Sequence, residues 1–355
     1  MTAVESVAAQ ESPPPGTVIS RSRELARKRS AVVIGSLAAL LVVFFALALS
    51  FGRGYVPLPD MLSTLAGQGS RSTDYIILDL KLPRSLAAVL VGVAFGVSGA
   101  VFQSLLGNPL ASPDVIGIST GASAAAVLGI SVLGLSGVAV SGLALGGALA
   151  AAAAMYALTW RGGISGSRLV LVGIGIAAIL LSVVSYLMTR TRVATAQDAL
   201  VWLTGSLNGR NWTQVVPLAL IMAVLLPAVA VLARQLGLLR LGDDAARGLG
   251  VSVEPARLGL LAAAVGLAGA ATAAAGPVAF VALLAAPIGR RLARDGSPAL
   301  AASGLVGAAI VLVADFAAQN LPGGVQYPVG VLTGAIGAPY LLLLLARANR
   351  TGKGG

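Results

Sequence analysis

The apolar residues of this 355-residue chain come in uninterrupted blocks long enough to cross a lipid bilayer, which excludes almost every soluble fold. A hydrocarbon core of roughly 30 Å takes about 20 helical residues per crossing. Backbone N–H and C=O groups find no water there, so each crossing must satisfy its own hydrogen bonds as a helix. Charged residues and Gly/Pro-rich punctuation mark off ten segments, at 31–51, 82–105, 114–133, 138–159, 168–189, 213–233, 257–275, 278–292, 298–318 and 328–346. With 57% hydrophobic and 10% charged residues, and a mean hydropathy of +0.92, no large soluble domain fits between them. The expected class is an all-α polytopic membrane protein with ten transmembrane helices.

Lys and Arg are retained in short loops on the cytoplasmic side. With the N-terminus inside, only Arg53, Arg71, Lys81, Arg84, Arg190, Arg192 and Arg210 of the 24 Lys and Arg fall outside. Both termini are therefore expected in the cytoplasm, in the cell's inner membrane. Residues 1–30, with Pro13–Pro15 and a basic cluster from Arg21 to Arg29, read as a disordered cytoplasmic tail, and 348–355 as a second. The apolar run Ala31–Leu49 exceeds the roughly 7–15 residues of a cleaved signal and reads as a retained first helix. The ten-helix domain then spans 31–347.

The chain has no Cys and no His, which removes disulfides, thiolate chemistry and His-based metal sites or bases. It has no phosphate-binding loop and no helix with paired carboxylates. It is expected to be no enzyme, with no catalytic residue, no metal and no cofactor of its own. Nucleotide energy would have to come from another polypeptide, and no nucleic-acid partner is expected.

Two intramembrane features remain. Gly92, Gly96, Gly99, Gly173, Gly175, Gly266 and Gly269 form small-residue faces that let helices approach closely. Between two apolar segments lies Gly99–Ala122, GAVFQSLLGNPLASPDVIGISTGA, with Gln103, Asn108, two Pro and Asp114. Such a break is tolerated at membrane depth only where protein or a water-filled route surrounds it. Asp114 reads either as the cap of a turn or as part of that route.

The stretch KLPRSLAAVLVGVAFGVSGAVFQSLLGNPLASPDVIGISTGA at 81–122 closely resembles the opening signature of FecCD-type permeases, the binding-protein-dependent importers of ferric siderophores, haem and vitamin B12. LVWLTGSLNGRNW at 200–212, LGDDAARGLGV at 241–251, AAAGPVAFVALLAAPIGRRL at 273–292 and YPVGVLTGAIGAPYLLLLL at 327–345 follow that family in order. The resemblance implies an ABC type II importer permease with the fold of the vitamin B12 permease. It also implies pairing as a homodimer or heterodimer, two cytoplasmic ABC ATPase subunits and an extracytoplasmic substrate-binding lipoprotein. Ferric siderophore is the first substrate it suggests, with haem and vitamin B12 as alternatives. An ion-coupled secondary transporter stands as the reading from another class.

The loop 238–257 reads as a short capped helix, with Gly242 before Asp243 as N-cap and Gly250 closing it in the left-handed conformation. The resemblance makes it the ATPase-coupling element, with Asp243, Asp244, Ala245, Arg247 and Gly250 as contacts. It also places an inner gate at Gln103, Asn108, Leu110, Ser165 and Gly166, and binding-protein docking at Lys81, Arg84 and Gln319. Here the chain departs from the family: Lys81 and Gln319 replace Arg, Gln326 and Tyr327 stand where a Glu is common, and Pro287 is displaced by one position. Lys lacks the bidentate fork of Arg, so docking would lean on Arg53, Arg71, Arg190, Arg192 and Arg210.

Overall fold

The computed structural model describes residues 15–52, 54–160, 166–321 and 326–351, and the regular structure among them is all helical. The order is α1 (Pro15–Ser50), α2 (Leu58–Leu65), α3 (Arg71–Asp74), a π-helical stretch (Tyr75–Lys81), α4 (Leu82–Leu106), α5 (Ile118–Ser131), α6 (Val138–Thr159) and α7 (Gly166–Arg190). Then come α8 (Val193–Leu203), α9 (Trp212–Leu239), α10 (Asp243–Gly248), α11 (Val253–Ala275), α12 (Val281–Ala293), α13 (Leu300–Asn320) and α14 (Val329–Thr351).

Ten of these helices lie where the ten apolar segments were expected, but they are unequal. Seven stretches are long and apolar enough to cross a membrane: Glu24–Ser50, Arg71–Leu106, Val138–Thr159, Arg168–Arg190, Trp212–Leu239, Val253–Ala275 and Leu300–Asn320. In contrast α5 has 14 residues and α12 has 13, about 21 and 20 Å at 1.5 Å per residue. Each follows an irregular stretch. Pro109, Pro113 and the left-handed Gly117 delay α5 to Ile118, not 114 as expected. Gly276-Pro277 ends α11, and α12 restarts only after Phe280.

Residues 15–30, expected to be disordered, continue α1 as helix. Extending an established helix adds one hydrogen bond per residue with no new nucleation, and the local sequence is rich in good helix formers. Glu24 and Lys28 pair at 2.7 Å one turn apart. Where this extension joins the apolar part of α1, Arg29 Nε donates to Leu292 O at 3.4 Å. The expected C-terminal tail is likewise helical as far as Thr351.

At the other end of the bundle α3, the π stretch and α4 run as one helix, Arg71–Leu106. Pro83 has no N–H to return to the preceding turn, and the ladder immediately ahead of it runs in π register. This long helix and α11 form the centre, each 78% buried over its apolar window, against 11–28% for α1, α6, α7 and α9. Around α4 pack α13, α11, α12 and α9.

Glycine sets those approaches. A Cβ at Gly92 would fall on Gly307 O and Ala308 of α13, one at Gly96 on Ser303 O, and one at Gly99 on Ala282 O of α12. Without a water-driven force between helices in lipid, such backbone contact carries much of the packing. Gly173, Gly266 and Gly269 also meet neighbours, but Gly175 meets nothing within 4 Å, so its face is not used inside this chain.

Candidate functional site

Four segments far apart in the sequence close around one cavity of about 600 Å3. The α4–α5 connection and α5 supply Leu110, Asp114, Ser119 and Ser123; α8 supplies Leu203; the α11–α12 break supplies Pro277, Phe280 and Leu283; α14 supplies Leu341. The wall is apolar except along the α4–α5 connection and the first turns of α5, where the Ser119 hydroxyl donates to the Asp114 carboxylate. Phe280 sits at φ 64, left-handed for a non-glycine residue, a conformation that costs about 1–2 kcal/mol and is found most often where function holds it.

The broken helix ends beside this cavity satisfy one another. Ser206 N donates to Ala275 O at 2.7 Å, and Gly330 N to Gly205 O at 3.1 Å. These bonds join the ends of α8 and α11 to the start of α14, so irregular backbone survives at membrane depth because protein surrounds it.

At the C-terminal end of α4 several expected gate residues are brought together. Asn108 Oδ1 accepts from Leu110 N at 2.9 Å, folding the Asn-Pro-Leu turn, and Leu110 continues into the cavity wall. Gly166, the first residue of α7, lies over Leu106; a Cβ there would be 3.2 Å from Leu106 Cδ2. Ser165 lies outside the described residues. Gln103 differs from expectation: it is buried, donates to Leu283 O at 3.1 Å and accepts from Arg290 Nη2, so it fastens α4 to α12.

At this same end α10 stands between α9 and α11. Its N-cap is Gly242, with no side-chain cap. Asp243, expected to be the cap, is the first helical residue and accepts from Arg257 Nη2 of α11 at 2.6 Å. Asp244 is fully exposed and pairs with Arg247 at 3.1 Å. Gly250 has φ 82, the left-handed closure expected. Ala246 is buried, while Leu241 and Leu249 on either side are exposed.

The three residues expected to dock a binding protein lie at the opposite end. Lys81 is 8% exposed, and its ammonium donates to the carbonyls of Leu49, Ser50 and Phe51 at 2.9, 3.2 and 3.1 Å. It caps the last turn of α1. Arg84 grips Asp315 bidentately, Nε to Oδ2 at 3.0 Å and Nη2 to Oδ1 at 2.9 Å, with Gln319 Nε2 on Oδ2 at 2.7 Å. All three side chains expected to face a binding protein are held inside the chain. The partners of Lys81 and Arg84 are backbone atoms of another helix and a side chain remote in sequence, which no local pattern reveals, whereas Gln319 and Asp315 lie one turn apart on α13. Replacing Lys81 with Met leaves the buried Leu49 carbonyl without this donor, while Ser50 O keeps its bond from Val56 N at 3.0 Å, and is expected to lower stability by about 1–3 kcal/mol, read as a lower melting temperature in detergent.

Residues 40–347 match the FecCD transport family. The chain belongs to that family. It is 40% identical over 291 residues to the ferric enterobactin transport system permease protein FepG of Escherichia coli K12, covering 82% of this chain and 88% of that protein. It is 38% identical over 336 residues to the achromobactin transport system permease protein CbrC of Dickeya dadantii 3937, covering 93% and 96%. A solved chain, described as an inward-facing metal-chelate type ABC transporter, superposes with TM-score 0.78 at 24% identity, covering 89% of this chain and 99% of that one, and supports the fold.

For a FecCD chain, the stretches around the cavity are those that carried the sequence resemblance: the 81–122 signature, 200–212, 273–292 and 327–345. Ser119, Ser123, Phe280 and Leu341 were not singled out from sequence. The available signal was Ser119 and Ser123 one turn apart on an otherwise apolar helix, which place two hydroxyls on one face.

Proposed function

We propose that this chain is the permease subunit of an ATP-binding cassette importer that carries a ferric siderophore across the inner membrane by alternating access, both termini facing the cytoplasm. The observation that carries the reading is the single cavity formed by four separated family stretches, joined to relatives whose names specify enterobactin and achromobactin transport. An intact iron chelate requires no protein ligand to iron. A weakly polar wall therefore suits it, and selection would rest on an external binding protein.

The route of coupling follows from the contacts. ATPase subunits on the cytoplasmic side would engage α10 through Asp244, Ala245, Arg247 and the exposed Leu241 and Leu249. The Asp243–Arg257 pair ties α10 to α11, and α11 is a continuous helix of 23 residues, about 35 Å. Its far end leads into Pro277 and Phe280 on the cavity wall. Movement of α10 would thus reach the cavity through one rigid helix. With Lys81, Arg84 and Gln319 engaged, binding-protein docking would fall to the exposed Arg71, Arg190 and Arg192. A second permease copy would complete the pathway.

The ion-coupled alternative has one observation in its favour, the half-buried Asp114 carboxylate on the cavity wall. Asp315, near the end of α13, is neutralised by Arg84. The gate reading is tested by Gly166→Trp, whose ring would run into Leu106. ATP-driven uptake of ferric siderophore is expected to fall to background with the variant still monodisperse and assembled; normal uptake would remove Gly166 from the gate.

A further inference from the structure

A second cavity, of about 420 Å3, lies under the C-terminal end of α4, beside the start of α10. It is lined by Gln103, Ser104, Gly107, Arg240, Gly242 and Arg290, among others, and among the described residues no carboxylate is in its lining. Its two guanidiniums repel each other across it. Both bond to neutral acceptors: Arg290 Nη2 to Gln103 Oε1, and Arg240 Nη1 to Gly296 O at 2.7 Å. Ser104, 8% exposed, also lines the cavity, and its hydroxyl has no partner among the described residues. Nearby Asp295 does not supply the missing charge. Burial alone would raise its carboxyl, but hydrogen bonds from Ser297 in its own loop and from Ser30 of α1 outweigh this and hold it below the usual range.

The charge balance decides what fits. The ends of α4 and α9 set the partial negative charge of their last carbonyls against two full positive charges. Positive charge therefore remains in excess in a pocket with several unused N–H donors. We infer that this cavity binds a phosphoryl group, held by the Arg240 and Arg290 forks and the Ser104 hydroxyl. The group comes either from free phosphate or from the head of an anionic phospholipid. For a lipid, an apolar cleft of about 510 Å3 on the same α4 and α9, lined by Val93, Val97, Leu226 and Ala230, offers room for an acyl chain. Because Gly242 is both cavity wall and N-cap of α10, the bound group would sit against the base of that helix.

The test uses the full chain purified in uncharged detergent. Sodium phosphate is titrated against sodium chloride at equal ionic strength and pH while melting is followed, and native mass spectrometry records retained phosphatidylglycerol. Free phosphate as ligand predicts a saturable rise in melting temperature of several degrees. A lipid head predicts a phosphatidylglycerol adduct and little response to phosphate. Either signal is expected to be lost in Arg240→Gln and weakened in Ser104→Ala, two variants that leave the Gln103–Arg290 bond intact. Absence of both signals in the unmodified chain, or their full persistence in Arg240→Gln, would overturn the inference.

Discussion

Asp315→Ala is expected to destabilise this protein by about 3–5 kcal/mol, because it strands the Arg84 guanidinium without a counter-charge. The pair is 11% and 3% exposed at its side chains, so neither group recovers water when the other is removed. Arg84→Met combined with Asp315→Leu should be far milder, since a well-packed apolar pair of similar volume replaces a buried ion pair at little net loss. Gln319→Leu should fall between, as it removes one hydrogen bond to the carboxylate and leaves the ion pair. Melting temperatures of the four proteins in one detergent check the ordering. Were Asp315→Ala as stable as the double variant, the pair would not be electrostatically isolated, and the inward-turned account of this end would fail.

Leu249→Glu is expected to abolish coupled uptake while leaving the folded permease unchanged. Leu249 is 59% exposed and follows the last residue of α10, so within the chain the substitution removes little packing. In a complex it would push a carboxylate into the apolar contact proposed with an ATPase. Loss of a central interface contact of about 2 kcal/mol weakens binding roughly 30-fold. The measurement is pull-down of the cognate ATPase by wild type and variant at equal concentration, alongside melting temperature. Equal retention of the ATPase would move the contact away from α10. A fall in melting temperature would show instead that Leu249 belongs to the core.

Much of the helical layout was legible because it is written locally. Blocks of about 20 apolar residues, the glycines at 92, 96 and 99, and the Gly242–Gly250 punctuation are each read within a few residues of themselves. The extension of α1 to Pro15 was missed because charge and proline suggested solvent, whereas a membrane helix already formed carries its neighbours along. The late starts of α5 and α12 were missed because hydropathy registers how apolar a stretch is, not where its backbone leaves the helix. Lys81 and Arg84 were recognised as notable cations at a helix end, but their partners are the end of α1 and a residue of α13. A charge near a membrane surface reads the same whether it faces a partner protein or a carbonyl cage. The cavity was the least legible feature: its walls come from four stretches whose meeting exists only in the folded bundle.

The central claim is that this chain passes its substrate under the drive of ATP hydrolysed elsewhere. The direct measurement is uptake of radiolabelled ferric siderophore into proteoliposomes holding the permease and its cognate ATPase, with binding protein added outside and ATP enclosed. Uptake should require ATP and binding protein together and should be indifferent to an imposed proton gradient. Uptake driven by the proton gradient alone, without ATP, would contradict the account and turn attention to Asp114.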